Sequence, residues 1–447
     1  MESIESLTDF IAELSFNKLP LDVVNQAKTC LLDTLGVILG GSKTETGRRI
    51  IEFVSNRKAI RESSILGTRE RTSREYAALA NGSLAEILEL SDGHSFSGLH
   101  QSVVVLPTVL AVGEPENTNG KDIITAIVSG YEVMGRIGRT IHPSHLRKGY
   151  IPTGTCGVYA AATAVSKLND LDSRKIANAL EIASYFVPMS LNENYYGPSV
   201  KSFHAGHSAQ TGMLAASLSQ SRFCGSTKAL DQFFSLVSEE YNMEMMTEAL
   251  GEEYEIMNVY FKPYACCRMA HSAIDCILEI QKKQDIDPKN IKSIIVRTFS
   301  FDLSRYTDTS SNYIYCQFSL PYIVAVAITD REVGPSQFSS ERIEDLTIHK
   351  LAKKVKLVVD DELVKIYPNR YPSIVEILTK NGQKFWNRVD IPKGDPRKPL
   401  ELRELKDKFR YLSSDWLKEE EIENILDIAI KLENLDNINE IIKLLRS

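Results

Sequence analysis

The ionisable residues of this chain crowd most densely between Glu89 and His100, where Glu-Leu-Ser-Asp-Gly-His-Ser-Phe-Ser-Gly-Leu-His carries two carboxylates and two histidines within a dozen positions. Apolar helix-like runs lie on both sides, one ending near Leu90 and one starting at Val103 and reaching Pro107. Titratable groups held between core elements lose hydration, and they persist where a shifted pKa serves chemistry. A capping turn would use some of the same residues, since Asp92 and Ser95 are both good N-cap types.

Three further clusters add cations and small polar groups. Arg147 to Gly157 is a glycine-containing loop running into a small-residue helix, and the hydroxyl of Thr153 with main-chain N–H groups there suits an anion such as a carboxylate. It has neither the Gly-Lys-Ser/Thr of a phosphate loop nor the preceding strand of a dinucleotide site. Val200 to Ala209 sets Lys201, His204 and His207 ahead of a helix, and Lys201 could pair with an anion or, if desolvated, exchange a proton. Phe261 to His271 brings Lys262, Arg268 and His271 together, and the planar guanidinium of Arg268 matches carboxylate geometry.

Taken together, the clusters supply several cations and two histidines beside a carboxylate. Histidine pairs occur at i, i+3 and i, i+6, but without the Asp, Glu or His partners at helical spacing that a metal cage needs, so neither a metal nor any other cofactor is expected. The combination suits proton abstraction next to a carboxylate of a small polycarboxylate, with cations holding the other carboxylates and stabilising the enolate-like charge.

These residues need a scaffold, and 447 residues exceed what one hydrophobic core usually supports. A net charge of −7 gives no reason to expect nucleic acid. No apolar run approaches a membrane span, and the start, Met-Glu-Ser-Ile-Glu-Ser, lacks the basic and apolar regions of a signal peptide; a cytoplasmic protein is expected. Seven scattered cysteines without a C-x-x-C pair read as reduced thiols.

Helical periodicity marks 7–14, 21–39 and 46–56, with a short extended piece at 63–67. Ala-rich segments over 74–90, 103–112, 121–139, 157–167, 172–184 and 208–220 predict closely packed helices. The character changes near residue 255. Ile291–Phe299 alternates as a strand should, Val355–Val359 is a second candidate, and Asn381-Gly382 between two alternating runs is a hairpin signal. From Leu400 the chain returns to amphipathic helix, with Asp415 starting a capped segment. The fold class expected is mainly α: a large all-helical domain (1–262 and 396–447) plus a smaller α+β lid domain (263–395).

At the four clusters the sequence resembles the MmgE/PrpD family, which includes 2-methylcitrate dehydratase, cis-aconitate decarboxylase and iminodisuccinate epimerase. Further matching pieces are Leu31-Leu-Asp-Thr-Leu-Gly36, Ala80-Asn-Gly-Ser, Pro152-Thr-Gly-Thr, Gln317-Phe-Ser-Leu-Pro-Tyr322, Lys393-Gly-Asp-Pro and Lys408-Phe-Arg410. The resemblance implies a helical domain built from both ends of the chain, a lid, an active site in the cleft between them, and a homodimer. It carries Asp92, His100, Lys201, His271 and Tyr322 over as catalytic residues. Glu89, His94, Thr153, His204, Lys262 and Arg268 become the substrate-binding set.

The sequence departs from the family pattern at Ser91-Asp92, where two adjacent acids are common, and at His100-Gln101, where His-Pro is common. Ile151 stands where the lyase members place a histidine before the Pro-Thr motif, and an isoleucine transfers no proton, so either another group such as His94 or Tyr150 substitutes for it or the substrate and reaction differ from those of the two best-known lyases. The leading expectation is a cofactor-independent lyase, a dehydratase or decarboxylase of a citrate- or aconitate-like acid. There His100 or His271 transfers the proton, Asp92 orients the histidine, and Lys201, Lys262 and Arg268 hold carboxylates. The alternatives are an epimerase of the iminodisuccinate type, which tolerates the loss of one acid/base group, and a member that has lost catalysis and acts as a binding protein.

Overall fold

The computed structural model describes residues 2–195, 199–299 and 312–446. Helices dominate from the start: α1 (Glu2–Glu13), α2 (Leu21–Ser42), α3 (Glu45–Ser55), α4 (Arg74–Glu86), α5 (Ser102–Glu116), α6 (Gly120–Ile141) and α7 (Ser144–Arg147). They continue with α8 (Pro152–Leu168), α9 (Ser173–Phe186), α10 (Asn192–Tyr195), α11 (Phe203–Gln220) and α12 (Ala229–Val237). After residue 262 come α13 (His271–Lys283), α14 (Tyr313–Phe318), α15 (Leu320–Asp330), α16 (Ser340–Ile343), α17 (Leu346–Ala352) and α18 (Asp361–Ile366). The C-terminal segment supplies α19 (Leu402–Ser413), α20 (Glu419–Ile430) and α21 (Asn439–Leu444).

Strands are few. β1 (Ser63–Ser64) pairs with β2 (Arg71–Thr72), and β3 (Gly93–His94) with β4 (Val259–Tyr260). The remaining four, β5 (Ile291–Thr298), β6 (Val355–Val359), β7 (Ser373–Thr379) and β8 (Lys384–Val389), form one sheet in the order β6-β5-β7-β8. The β7–β8 hairpin turns at Asn381-Gly382, where Gly382 takes a φ of 87°. One face of this sheet is covered by α13, and the burial of β7 alternates residue by residue as a half-buried strand requires. The fold is therefore mainly α with a smaller α+β part.

Helix α8 packs between α6, α9 and α11, and α11 lies along α4. Small residues set these distances. A Cβ on Gly206 of α11 would lie 2.0 Å from the carbonyl oxygen of Leu79 on α4, so the two backbones touch there. At the other end of the chain, α19 crosses α2, where a Cβ on Gly40 would meet Leu412 at 2.9 Å.

Several helix limits differ from the periodicity. α4 stops at Glu86 instead of Leu90, which puts Glu89 on irregular backbone with a φ of 50°. α8 begins at Pro152, not Gly157, because proline at the first helical position needs no N–H partner. α11 begins at Phe203, not Ser208, so His204 and His207 belong to the helix and not to a preceding loop. In the C-terminal segment Asp415 caps nothing and pairs with Lys43 at 2.8 Å; α20 starts four residues later, where Glu421 accepts the Lys418 N–H at 2.8 Å.

Candidate active site

The segment between α4 and α5 crosses the interior with its charged groups buried. It is held at Gly93, where β3 meets β4: a Cβ there would lie 2.3 Å from the Tyr260 hydroxyl, so only glycine lets the tyrosine ring close over the loop.

Four charges alternate at the start of this segment. Lys201 lies 2.8 Å from Glu86 and also pairs with Glu89, whose second oxygen takes Lys262 at 2.8 Å. All four are buried. Burial opposes ionisation of each, but the neighbours outweigh it: Lys201 and Lys262 hold the Glu89 carboxyl well below the usual range, and the two glutamates hold Lys201 above the usual lysine value. Lys262 is raised in the same way by Glu89. The group is thus two ammonium–carboxylate pairs in a medium where separated charges would be costly.

His100 sits beside it, at the end of the loop. Its main-chain N–H donates to Thr153 Oγ1 at 2.9 Å, and its Nδ1–H donates to the carbonyl oxygen of Asp92. That tautomer, assigned from the hydrogen bonds, leaves Nε2 as the basic nitrogen. The residue is 9% exposed, and no described residue occupies Nε2. Burial and Lys262 lower its pKa to about 4, so the imidazole is neutral near pH 7.

Asp92 orients this histidine through its main chain and not through its carboxylate, contrary to the sequence expectation. The carboxylate turns inward, accepting Tyr131 OH at 2.7 Å and the Ser102 N–H at the start of α5 at 3.2 Å. Burial raises its pKa to about 6 against these two hydrogen bonds. Thr153 accepts the His100 main-chain N–H with its hydroxyl oxygen, which leaves the hydroxyl proton to donate.

Arg268 also packs on Tyr260. Its guanidinium stands 3.5 Å over the Tyr260 ring and 4.8 Å from that of Tyr371, and Nη2 donates to Asp395 at 2.6 Å. Nε and Nη1 are buried and have no hydrogen-bond partner, and the side chain is only 5% exposed. Because the His100 and Tyr260 rings are 6.5 Å apart, imidazole and guanidinium lie within about 10 Å of each other.

The other expected residues fall at different depths. His204 joins the cluster, with Nε2 3.9 Å from Glu86 and burial lowering its pKa. His271 is fully buried, its ring 5.2 Å from that of Tyr264 and Nε2 3.2 Å from the Cys266 carbonyl; burial, then Lys262 and Arg268, put its pKa well below the usual value. His94 is committed elsewhere: Nε2 bonds Glu255 at 2.8 Å, Nδ1 bonds Ser97 at 2.7 Å, and Glu255 in turn holds Arg139. It cannot stand in for the histidine missing at position 151. Tyr150 stacks on His145 at 5.0 Å, and the buried Ile151 gives its N–H to Ser190. Tyr322 is not brought to the cluster; its hydroxyl donates to the Gln337 carbonyl at 2.7 Å and its ring packs by Phe338.

Glu86, Tyr131 and Tyr260 escaped the sequence reading. Glu86 offered a signal, since it stands three residues before Glu89 in an otherwise apolar stretch, and two acids at that spacing share a helix face. Among the described residues no group of three His, Cys, Asp or Glu side chains is arranged to hold a metal ion, and no helix is long and apolar enough to cross a membrane. All seven cysteines are free thiols.

The chemistry available is therefore a neutral imidazole with one open nitrogen, a buried ammonium kept protonated by two carboxylates, and a guanidinium with two nitrogens, Nε and Nη1, that have no hydrogen-bond partner. Comparison with known proteins places the chain as a whole. The chain is 26% identical to the cis-aconitate decarboxylase-like protein oryM of Aspergillus oryzae, over 98% of this chain and 96% of that protein. It is 25% identical to the cis-aconitate decarboxylase of Aspergillus terreus (97% and 94% covered) and to that of Mus musculus (99% and 93%). The model of the MmgE/PrpD N-terminal domain matches residues 5–242 and that of the C-terminal domain residues 264–434, and on that coverage the chain belongs to the MmgE/PrpD family.

Proposed function

We propose that this protein is a cofactor-independent lyase that acts on a small aconitate- or citrate-like polycarboxylate by proton transfer next to a carboxylate. The observation that carries the reading is the pairing of an open, neutral His100 Nε2 with the unpaired Nε–H and Nη1–H of Arg268 across the Tyr260 ring. Arg268 takes a distal carboxylate through one of these free N–H donors, which leaves the carbon to be deprotonated facing His100.

Lys201 supplies positive charge where the enolate-like intermediate gathers negative charge. In a dehydration, the C–H proton passes to His100 Nε2 and the hydroxyl leaves as water with a proton from Lys201. In a decarboxylation, the carbon–carbon bond breaks, carbon dioxide departs, and the carbanion takes the Lys201 proton. Glu86 and Glu89 keep that lysine charged until the step, and His204 and His271 are further imidazoles held neutral by burial. The names of the relatives favour decarboxylation of an aconitate-like acid. Ile151 favours a second reading, an epimerase of the iminodisuccinate type, which removes and returns a proton at one carbon.

The same proposal has residues 263–395 closing as a lid over a helical domain of 1–262 and 396–447, in a homodimer whose mass sedimentation equilibrium would measure. Proton NMR of the purified protein with cis-aconitate, 2-methylcitrate and iminodisuccinate in deuterated water tests the chemistry. Product formation from either of the first two supports the lyase, and deuterium uptake without product supports the epimerase. No exchange or turnover with any of them sinks both readings and leaves a binding protein.

A further inference from the structure

Lys408 lies on α19, far along the chain from the candidate site, yet its ammonium reaches the back of it. Nζ donates to the carbonyl oxygen of Leu90 at 2.7 Å and to that of Lys262 at 3.0 Å, and it pairs with Asp33 of α2 at 2.7 Å. Two of its three protons go to the carbonyls, and the Asp33 carboxylate faces it as the counter-charge. The side chain is 10% exposed and Asp33 1%. Leu90 follows Glu89 directly, and Lys262 is the partner of Glu89. One ammonium therefore ties down the main chain on both sides of the Glu89–Lys262 pair.

We propose that Lys408 is a positioning residue for the reaction: it clamps the backbones of Leu90 and Lys262, and so fixes the spacing of the Glu89–Lys262 pair that holds Lys201 beside His100. The proposal rests on the lyase reading for its kinetic consequence and on geometry for its structural one. Two peptide segments, one before β3 and one after β4, meet at this ammonium, which adds a main-chain tie to the β3–β4 pairing and the Glu89–Lys262 ion pair that already join them. Asp33 is the counter-charge that allows a lysine to be buried at this point, since among the described residues no other carboxylate pairs with Lys408. The helix crossing of α2 and α19, closed down by Gly36 and Gly40 against Phe409 and Leu412, sets the height at which the ammonium emerges.

The test removes both charges together, so that no lone buried carboxylate unfolds the protein. In Asp33→Asn/Lys408→Met, kcat should fall about a hundredfold, as expected for reacting groups misplaced by an ångström, while KM changes little and the thermal midpoint stays near that of the parent. Hydrogen–deuterium exchange should quicken over 90–94 and 261–265 and stay unchanged in the centres of α2 and α19. Asp33→Asn/Lys408→Gln, whose amide keeps two N–H donors on a side chain one bond shorter, should recover part of both. Unchanged exchange in the two loops, or exchange rising throughout α2 and α19 along with a drop in thermal midpoint, overturns the clamp. If the parent protein turns over no polycarboxylate, the lyase reading fails, and the exchange measurement still decides the role of Lys408.

Discussion

Glu89 and Lys262 stand 173 residues apart in the chain and 2.8 Å apart in the fold, and the second oxygen of Glu89 faces Lys201. One carboxylate thus serves two buried ammonium groups. Glu89→Gln would leave Lys201 with Glu86 and take from Lys262 the carboxylate it pairs with. Removing one partner of a buried pair costs about 3–5 kcal/mol, and urea denaturation should show a loss of that size. A loss below about 1 kcal/mol, the range of exposed pairs, would mean that water reaches the cluster and screens it.

His100→Asn should lower kcat by about 10²–10⁴-fold, the usual contribution of a general acid or base, with little change in thermal midpoint. The pH profile of the parent carries a second signature. With a pKa of about 4, His100 stays neutral and able to accept a proton through the neutral range, so the acid limb of kcat/KM due to it should fall near pH 4. An acid limb near pH 6.5 that disappears in the variant would show an unburied imidazole and refute the geometry.

The same burial governs stability against pH. His100, His142 and His145 each fall to about 4, mainly through desolvation. The unfolded chain binds protons at these sites near pH 6.5 and the folded one only near pH 4, so their contribution is complete above 6.5 and declines as pH falls from there toward 4. Asp92, raised to about 6, and Glu132, raised to about 7, act in the opposite direction. Three histidines against two acids predict a lower urea midpoint at pH 5 than at pH 7; an equal or higher midpoint would reverse the balance.

How far the sequence reaches follows from which contacts are local. The strand alternation of Ile291–Thr298, the Asn381-Gly382 turn and the charged loop from Glu89 to His100 are written in neighbouring residues, and all appear in the fold where periodicity and turn chemistry put them. Pro152 and Phe203 were harder, because proline, glycine and threonine look like loop until the helix that follows is known to need them in its first turn. Glu86 and Tyr131 were out of reach for another reason. Their roles are fixed by Lys201 and Asp92, 115 and 39 positions away, and no spacing rule connects residues that only tertiary packing brings together.

Arg268→Lys keeps the charge but loses the planar fork, so it separates electrostatics from geometry. Asp395 should remain satisfied, since Arg397 Nε lies 2.7 Å from its other oxygen, and the variant should stay folded. Losing a hydrogen bond to a charged group, worth about 1.5–3 kcal/mol, predicts a rise in KM of roughly ten- to a hundredfold with a smaller change in kcat. A variant with the parent's KM would remove Arg268 from substrate binding.

Tyr322 offers the sharpest contrast between resemblance and geometry. The family pattern makes it catalytic, whereas here its hydroxyl is spent on the Gln337 carbonyl and its neighbours are Phe338 and Arg342, not the glutamates and lysines of the site. Tyr322→Phe deletes one hydrogen bond and no packing surface. On the geometry, it should cost about 1 kcal/mol in urea denaturation and leave kcat within twofold of the parent. A catalytic phenol would behave differently: its loss would lower kcat by about a hundredfold or more and leave stability nearly unchanged. The two outcomes differ in both measurements, so one variant decides whether the loop carrying Gln337 must move to release this hydroxyl during turnover.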